Sequence, residues 1–243
     1  MNQITNPQNR SSLVIASVIL GIVLIICTVI GARTLVKIKG LGNTIRVTGA
    51  AAKPIKSDYA IWTGSFSVNG ATVEEAYPLL EIDLRKITSF MKKKKLDSSE
   101  FEISPVNIIT NYNRERQIVD YTLSRTIQVE MADVERLGKI SESASELIKD
   151  GVLFESRTPQ YLVSELDTLK VEMIRAATEN AKIRAEELAR TTGNSIGAPR
   201  TASVGVFQIR PRHSQEVSSY GISDVTSIEK EIVLTVHIEF LID

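Results

Sequence analysis

The hydrophobic pattern of the chain begins with an unbroken apolar run, Leu13–Ala32, bracketed by Arg10 and Arg33. A helix of this length spans about 30 Å, the thickness of a bilayer's hydrocarbon core, whereas a secretory signal has a shorter apolar core of roughly 7–15 residues. No face of the run is polar, which disfavours a buried soluble helix. We predict a tail over 1–12 and a transmembrane anchor over 13–35, which makes the lipid bilayer the first expected partner; a cleaved signal peptide is the alternative.

Beyond a predicted linker over 36–44, the pattern alternates between apolar and polar residues with the period of two that is typical of half-buried strands. In the segment 59–69, Trp62, Phe66 and Val68 fall on one face. The clearest alternation covers 117–131. The full set of predicted strands is 45–49, 59–69, 101–112, 117–131, 152–155, 203–210 and 228–242.

Three segments have helical periodicity. The first opens at Thr72 with a capping box, although Pro78 predicts a kink or a later start. The second is capped by Asp133 and ends at Gly151. The third runs from Ser164 to about Thr192, and a seam of small residues four apart allows close packing: Ala177, Ala181, Ala185 and Ala189. The order of elements predicts an α+β domain over 45–243, with a largely antiparallel sheet and packed helices.

Two features depart from these patterns. Arg125 lies on the apolar face of the 117–131 strand, so it requires a carboxylate partner, a position at a bulge, or a route to solvent. The segment Pro211–Ser227 has no periodicity, and loops of this length inside a domain are usually functional or disordered. We therefore expect a binding surface, if there is one, to include these residues: Arg125, Arg210, Arg212, His213, Tyr220 and Asp224.

Charge and cysteine content narrow the function classes. Lys+Arg and Asp+Glu are both 29, so the chain lacks the basic excess of a nucleic-acid-binding protein. The single cysteine, Cys27, excludes intramolecular disulfides and cysteine-based metal sites. More basic residues follow the anchor than precede it, which by the positive-inside rule weakly favours a cytoplasmic C-terminal side.

The sequence offers few catalytic groups. It has two histidines, His213 and His237, and no metal-binding or phosphate-binding motif, so we predict no catalytic residues, no metal site and no cofactor. Gly193-Asn194-Ser195-Ile196-Gly197 has the spacing of a nucleophile elbow, which follows a strand and precedes a helix. Here a helix precedes and a strand follows, so we interpret Gly193 as a helix stop. The alternative is a membrane-tethered serine hydrolase in which Ser195 acts with Asp224 and His237.

Several stretches resemble the SIMPL domain family. "IRVTGAAAKPIKSDYAIWTGSFSV" resembles its opening, and "ADVERLGKISESASELIKDGV" is similar to its middle helix. "RAATENAKIRAEELARTTGNSIGAP" resembles its alanine-rich helix and following turn. "GVFQIRP" and "YGISDVTSIEKEI" are similar to a membrane-anchored subgroup. The resemblance covers 45–243.

The resemblance implies a bacterial envelope protein with its domain outside the cytoplasm, periplasmic or extracellular, and hence a cytoplasmic N-terminus. Some members form ring-like or channel-like oligomers, some are linked to stress protection, and the family has no agreed catalytic residues. We therefore expect a single-pass, non-catalytic protein that acts by homo-oligomerisation or by binding an envelope protein, with a role in stress protection.

Overall fold

The computed structural model describes residues 7–40 and 43–242. Its first element, α1, is a helix over Pro7–Gly40. The stretch Val14–Leu35 has a mean hydropathy of 3.0, is not buried, and is long and apolar enough to cross a membrane. The structure thus confirms an apolar N-terminal helix at the position of the predicted anchor.

The helix is longer than the predicted anchor at both ends. It begins inside the predicted tail, and it includes the first five residues of the predicted linker over 36–44. Between Arg33 and Lys39 no proline or glycine interrupts the chain, and nothing stops the helix before Gly40. Residues 1–6 of the tail and 41–42 of the linker lie outside the described residues.

The remaining elements are groups of two to four strands separated by helices. The helices are α2 (Val73–Lys93), α3 (Val134–Ser143), α4 (Ser145–Lys149) and α5 (Leu166–Thr191). The strands are β1 (Thr44–Lys56), β2 (Tyr59–Gly70), β3 (Phe101–Ile103), β4 (Asn107–Tyr112), β5 (Ile118–Met131), β6 (Phe154–Ser156), β7 (Gln160–Leu162), β8 (Ile196–Val204), β9 (Gln208–Pro211), β10 (Ile222–Ser223) and β11 (Glu229–Ile242).

The strands form two sheets. One has the order β1-β11-β9-β10, with β8 also pairing with β11; the other has the order β3-β5-β2-β6, with β4 also pairing with β5 and β7 with β2. Antiparallel pairing dominates, whereas β9 and β10 pair in parallel. The predicted fold class, α+β with a largely antiparallel arrangement and packed helices, is confirmed.

The chain divides into two compact units. Unit 1 comprises Met1–Ala50, Ala177–Gly205 and Val236–Asp243, and unit 2 comprises Ala51–Ala176 and Val206–Thr235. The boundaries fall inside β1, α5 and β11, so each of these elements contributes residues to both units.

Unit 2 is built around the β2–β5 pair. Trp62 and Phe66 on β2 are buried on the same face, as their alternation predicts, and Leu123, Ile127 and Val129 on β5 are fully buried as well. Helix α2 adds Ala76, Leu80, Ile87 and Met91 at helical spacing. Thr72 caps the N-terminus by accepting a hydrogen bond from the Glu75 backbone, and Pro78 lies within the helix without delaying its start.

Unit 1 owes its packing to glycine and alanine. Ala177, Ala181, Ala185 and Ala189 are all buried, as the small-residue seam predicts. A Cβ on Gly49 of β1 would lie 2.1 Å from the Ala177 carbonyl oxygen and 2.6 Å from the Ala181 Cβ. Helix and strand therefore approach so closely that a side chain at Gly49 would collide with helix backbone.

Two strand predictions are wrong because of local breaks. The predicted strand over 101–112 is two strands, β3 and β4, since Pro105 has no N–H and restricts the residue before it. The predicted strand over 203–210 is also two, β8 and β9, and β8 begins at Ile196. Pro199 lies inside β8, where an edge position tolerates the missing donor.

Smaller differences concern the middle of the chain. The helix predicted from Asp133 to Gly151 is interrupted at Ala144, giving α3 and α4, although Asp133 does cap it by accepting from the Arg136 N–H at 3.0 Å. The short strand β7 has no counterpart among the predicted strands. Three residues are too few for a period of two to be distinguished from a loop.

Candidate functional site

The 211–227 loop is more structured than its sequence pattern predicts. Pro211 still belongs to β9, and β10 lies within the segment, with Ile222 and Ser223 in register with Gln208 and Ile209. The Asp224 N–H donates to the Ile209 carbonyl at 2.9 Å. The loop therefore leaves the edge of a sheet and returns to pair with it.

Gln208 holds the middle of the loop. Its side chain is buried, its Nε2 donates to the Ser218 carbonyl at 2.7 Å, and its Oε1 accepts from the Ser218 N–H at 3.3 Å. One side-chain amide thus provides both hydrogen bonds that a neighbouring strand would provide. Arg210 adds a bond from its Nη1 to the Glu216 carbonyl at 3.2 Å.

Lys230 holds the end of the loop. It is only 1% exposed, and its Nζ donates to the carbonyl oxygens of Tyr161 at 2.5 Å and Asp224 at 2.6 Å. Burial lowers the pKa of Lys230, while the nearby Asp224 carboxylate acts in the opposite direction. The Tyr161 N–H also donates to the Val225 carbonyl at 2.7 Å, so β7 and the loop are fixed to each other by the same contacts.

Asp224 orders the turn that follows. Its Oδ1 accepts from the Thr226 N–H at 2.9 Å and from the Thr226 Oγ1 at 2.7 Å. Burial raises the pKa of Asp224, but the hydrogen bonds from Thr226 and Ser227 and the nearby Lys230 charge together outweigh burial and leave the pKa below its usual value. The carboxylate is thus a structural group of the loop, charged at neutral pH.

The two arginines of the predicted surface that belong to this loop region are paired with glutamates. Arg210 pairs with Glu231 and Arg212 with Glu229, each at 3.0 Å. The large hydrophobic side chains that the loop exposes are Tyr220, 95% exposed, and Val217, 73% exposed. His213 occupies a left-handed turn position, with φ 67°. The exposed part of the loop therefore combines these two side chains with polar and charged neighbours, among them Arg212 and His213.

Arg125 has a separate, structural environment in the other sheet. Ser104 bonds to Thr126 and Asn107 is in register with Ser124, so Pro105 and Val106 together oppose Arg125 as a bulge. The Arg125 Nε donates to the Ser104 carbonyl at 2.8 Å, and its Nη1 lies 3.9 Å from the Glu81 carboxylate. Arg125 thus stabilises the strand break, and the structure does not join it to the loop.

Sequence reasoning did not select Gln208, Val217 or Lys230. Lys230 had a signal that could have found it, because it occupies the apolar register of β11 with Ile232 and Leu234, as Arg125 does on β5. Gln208 and Val217 had none, because their importance comes from where the folded loop places them.

A second polar cluster lies in unit 1. The Glu239 carboxylate accepts from the Thr44 Oγ1 at 2.7 Å and lies 3.4 Å from the Arg46 guanidinium. The hydrogen bond from Thr44 is the main cause of its lowered pKa. The cluster borders an open cavity of about 340 Å³, whose lining residues include Thr201 and His237. These contacts satisfy the carboxylate within the sheet.

The Gly193–Gly197 motif ends a helix. The Asn194 N–H donates to the Ala189 carbonyl and the Gly193 N–H to that of Arg190, with φ 76° at Gly193. This is the Schellman pattern of a helix C-terminus. Ser195 is exposed between α5 and β8.

The would-be triad partners have other roles. The His237 Nδ1 lies 2.9 Å from the Thr48 Oγ1. His237 is in register with Ser203, whereas Ile196, next to Ser195, is in register with Ile242. The five residues of β11 between these positions span about 17 Å, and Ser195 lies beyond them. Asp224 belongs to unit 2 and bonds to Thr226. The register of β8 and β11 therefore places His237 too far from Ser195 to act as its base.

These observations define a class of protein: an α+β domain of paired antiparallel sheets that follows a single apolar N-terminal helix. The SIMPL family, described as "Protein of unknown function (DUF541)", matches residues 45–240. The chain belongs to the SIMPL family. A search of curated proteins found no match.

Similar solved structures include the de novo designed protein Foldit4, at 17% identity over 41% of this chain and 93% of that one, with a TM-score of 0.22. A hydrolase from Listeria innocua is 17% identical over 79% of this chain and 91% of its own, with a TM-score of 0.20. At these TM-scores neither similarity carries an argument about fold or function.

Proposed function

We propose that the protein is a single-pass membrane protein whose SIMPL domain lies outside the cytoplasm and acts by binding and assembly. The apolar helix Val14–Leu35 and the family membership support an anchored envelope protein. The charge balance around the helix weakly favours the opposite orientation, so the topology needs a direct test. A periplasmic-type reporter fused after Asp243 should be active, and a cytoplasmic-type reporter at the same position inactive; the reverse pattern would refute the orientation.

The observation that carries the binding role is the construction of the 211–227 loop. Two buried polar side chains, Gln208 and Lys230, fix its backbone, and the fixed backbone presents Val217 and Tyr220 to solvent. A tyrosine held in place loses little conformational entropy on binding, which is why such residues recur at recognition surfaces. A loop with this construction supports recognition of a protein partner with an apolar pocket.

In-membrane cross-linking followed by mass spectrometry tests the binding role. Photo-reactive groups placed at Val217 and Tyr220 should capture a reproducible set of partners, and Tyr220→Ala should remove it. Tyr77→Ala is the matched control, because Tyr77 is also exposed, at 47%, but lies on α2. Equal capture by both variants would exclude the loop as the recognition surface.

We further propose that the protein is not an enzyme and that Ser195 has no catalytic role. The Schellman geometry at Gly193 and the pairing of His237 with Thr48 support this. Serine-directed covalent probes should not label the full-length protein. Labelling that is lost in Ser195→Ala would establish the hydrolase alternative instead.

A role in stress protection fits this proposal. Deleting the gene should sensitise cells to envelope stress, and Tyr220→Ala should reproduce the defect while leaving the protein at its normal abundance. Equal growth of deletion and parent strains under oxidative and detergent stress would argue against that role.

A further inference from the structure

The β4–β5 hairpin of unit 2 exposes several large apolar side chains to solvent. Five of its side chains are at least half exposed: Ile108, Ile109, Tyr112, Ile118 and Val119. They lie on both faces of the hairpin, because consecutive strand residues such as Ile108 and Ile109 point to opposite sides, so apolar side chains flank the strand on either side of its edge. The hairpin is nonetheless well formed, with its turn closed by bonds between Asn113 and Gln117.

The free edge of this hairpin lacks the usual protection against pairing. β4 pairs with β5 on one side, and no pairing on its other side occurs among the residues that the structure describes. Natural edge strands are protected by charged residues, prolines or bulges. The six residues of β4, Asn-Ile-Ile-Thr-Asn-Tyr, contain neither charge nor proline. The bulge at Pro105 lies before β4 begins, and the register shift between Asn111 and Tyr112 places its extra residue, Val119, on β5, so β4 itself stays regular.

Charges are distributed unequally along the same edge. Arg114 and Arg116 flank Glu115 in the turn at one end. At the other end, next to β3, a cavity of about 280 Å³ is bordered by three carboxylates, those of Glu100, Glu102 and Glu130. Any strand that pairs here has to accommodate an uncharged middle, a basic end and an acidic end.

We propose that this edge pairs with the β4 edge of a second copy of the chain, in antiparallel orientation about a two-fold axis. Such pairing sets Asn107 opposite Tyr112 of the other copy, and it carries the arginine-bearing turn of each copy to the level of the other copy's Pro105, about 7 Å from the end of β3. The basic end of each copy then lies near the acidic end of the other copy. The same contact occurs twice, as an isologous interface requires. A parallel arrangement would instead align like charges. The inference rests on the proposed assembly role and names its surface.

Site-directed variants of the full-length protein in detergent micelles test the surface. Ile109→Lys places a charge in the middle of the edge and should weaken self-association at least tenfold in sedimentation equilibrium. Ile148→Lys is the control: Ile148 is 59% exposed, compared with 50% for Ile109, but lies on α4. Equal weakening by both variants, or no effect of Ile109→Lys on an oligomeric protein, would overturn the inference.

A charge exchange tests the antiparallel arrangement. Arg114→Glu combined with Arg116→Glu should weaken association, and adding Glu102→Arg to the same chain should restore it. In a Cys27→Ser background, single cysteines at the six β4 positions should give disulfide dimers with one central maximum. Uniform cross-linking along β4, or no rescue by Glu102→Arg, would contradict the arrangement.

The outcomes separate this inference from the proposed function. A full-length protein that is monomeric at all concentrations would refute both the assembly role and this surface. An oligomer that Ile109→Lys leaves intact would refute the surface alone, because assembly would then use another part of the chain.

Discussion

Replacing Lys230 by methionine should release the 211–227 loop. Methionine matches the length of the lysine stem but cannot donate hydrogen bonds. The substitution leaves the carbonyl oxygens of Tyr161 and Asp224 without the donor that now lies 2.5 and 2.6 Å away. Both carbonyls contact the same ammonium, so one change affects β7 and the loop together.

The magnitude follows from two opposing terms. A buried carbonyl left without a donor costs about 1–3 kcal/mol, so two cost about 2–6 kcal/mol. Removing the buried ammonium offsets part of this loss in the free energy of unfolding, because burying a charged group is itself unfavourable. We expect a net loss of about 2 kcal/mol, which corresponds to roughly a thirtyfold rise in the opening equilibrium of the loop.

Hydrogen exchange measured by mass spectrometry reports the opening of the loop directly. Amides that bond within the loop region, those of Tyr161, Ser218 and Asp224, should exchange about thirtyfold faster in the variant, while those in β2 and β5 change less. Lys53→Met is the control, because Lys53 forms a surface ion pair with Glu172 that contributes little to stability. Unchanged loop exchange in Lys230→Met would refute the argument that Lys230 holds the loop.

The pH dependence of the same pair of proteins supplies a second test. The pKa of Lys230 is lowered from 10.5 in the folded state, so the unfolded chain binds more protons between the two values. Stability of the wild-type protein should therefore rise relative to the variant as the pH increases towards 10.5. A penalty for Lys230→Met that shrinks over that interval would contradict the assigned direction.

Three further predictions concern stability and are measured by urea unfolding in detergent. Gly49→Ala should lower the free energy of unfolding by about 3 kcal/mol, because its Cβ would meet helix backbone at 2.1 Å; a change below 0.5 kcal/mol would show that α5 can shift away. Gly193→Ala should cost about 1–2 kcal/mol, since φ is 76° although the space around it is open, and an unchanged midpoint would contradict the helix-stop role. Hydrogen bonds from Ser164 lower the pKa of Asp58 from 3.8. The stability that Asp58 contributes is therefore present above pH 3.8 and is lost as the pH falls through the lower folded pKa. Asp58→Asn should flatten the acid side of the plot of stability against pH.

Periodicity located the elements whose residues repeat long enough to show it. The α5 seam, the buried face of β2 and the alternation of β5 all follow the sequence pattern, because helix and strand each impose a fixed period on the side chains that meet a core. Where a single residue interrupts the pattern, the predicted boundaries of the strands were wrong. Pro105 and Pro199 had opposite effects, one breaking a strand and one lying inside an edge strand, and their local sequences do not distinguish the two.

The candidate site was predicted only in part. The long loop and its residues Tyr220 and Asp224 were selected because the segment is long and aperiodic. The arginines chosen with them are engaged elsewhere, Arg210 and Arg212 with glutamates of β11 and Arg125 with the Ser104 carbonyl. Sequence indicates that a buried charge needs a partner, but the identity of the partner depends on strands that are distant in the chain.

The sequence by itself determined that this chain has an apolar helix long enough to span a membrane, an α+β domain of the SIMPL family, and a motif at Gly193–Gly197 that ends a helix. The helix, the fold class and the helix stop follow from local chemistry: hydropathy, side-chain period, and the left-handed conformation that glycine adopts at low cost. The family follows from the resemblance of several stretches to the SIMPL domain. Only the tertiary structure decided that Lys230 is a structural clamp, that Arg125 supports a bulge, and that the β4 edge is exposed and uncharged. Each of those features depends on contacts between residues that are far apart in the sequence. Such contacts form only when the whole domain packs, so no short segment predicts them.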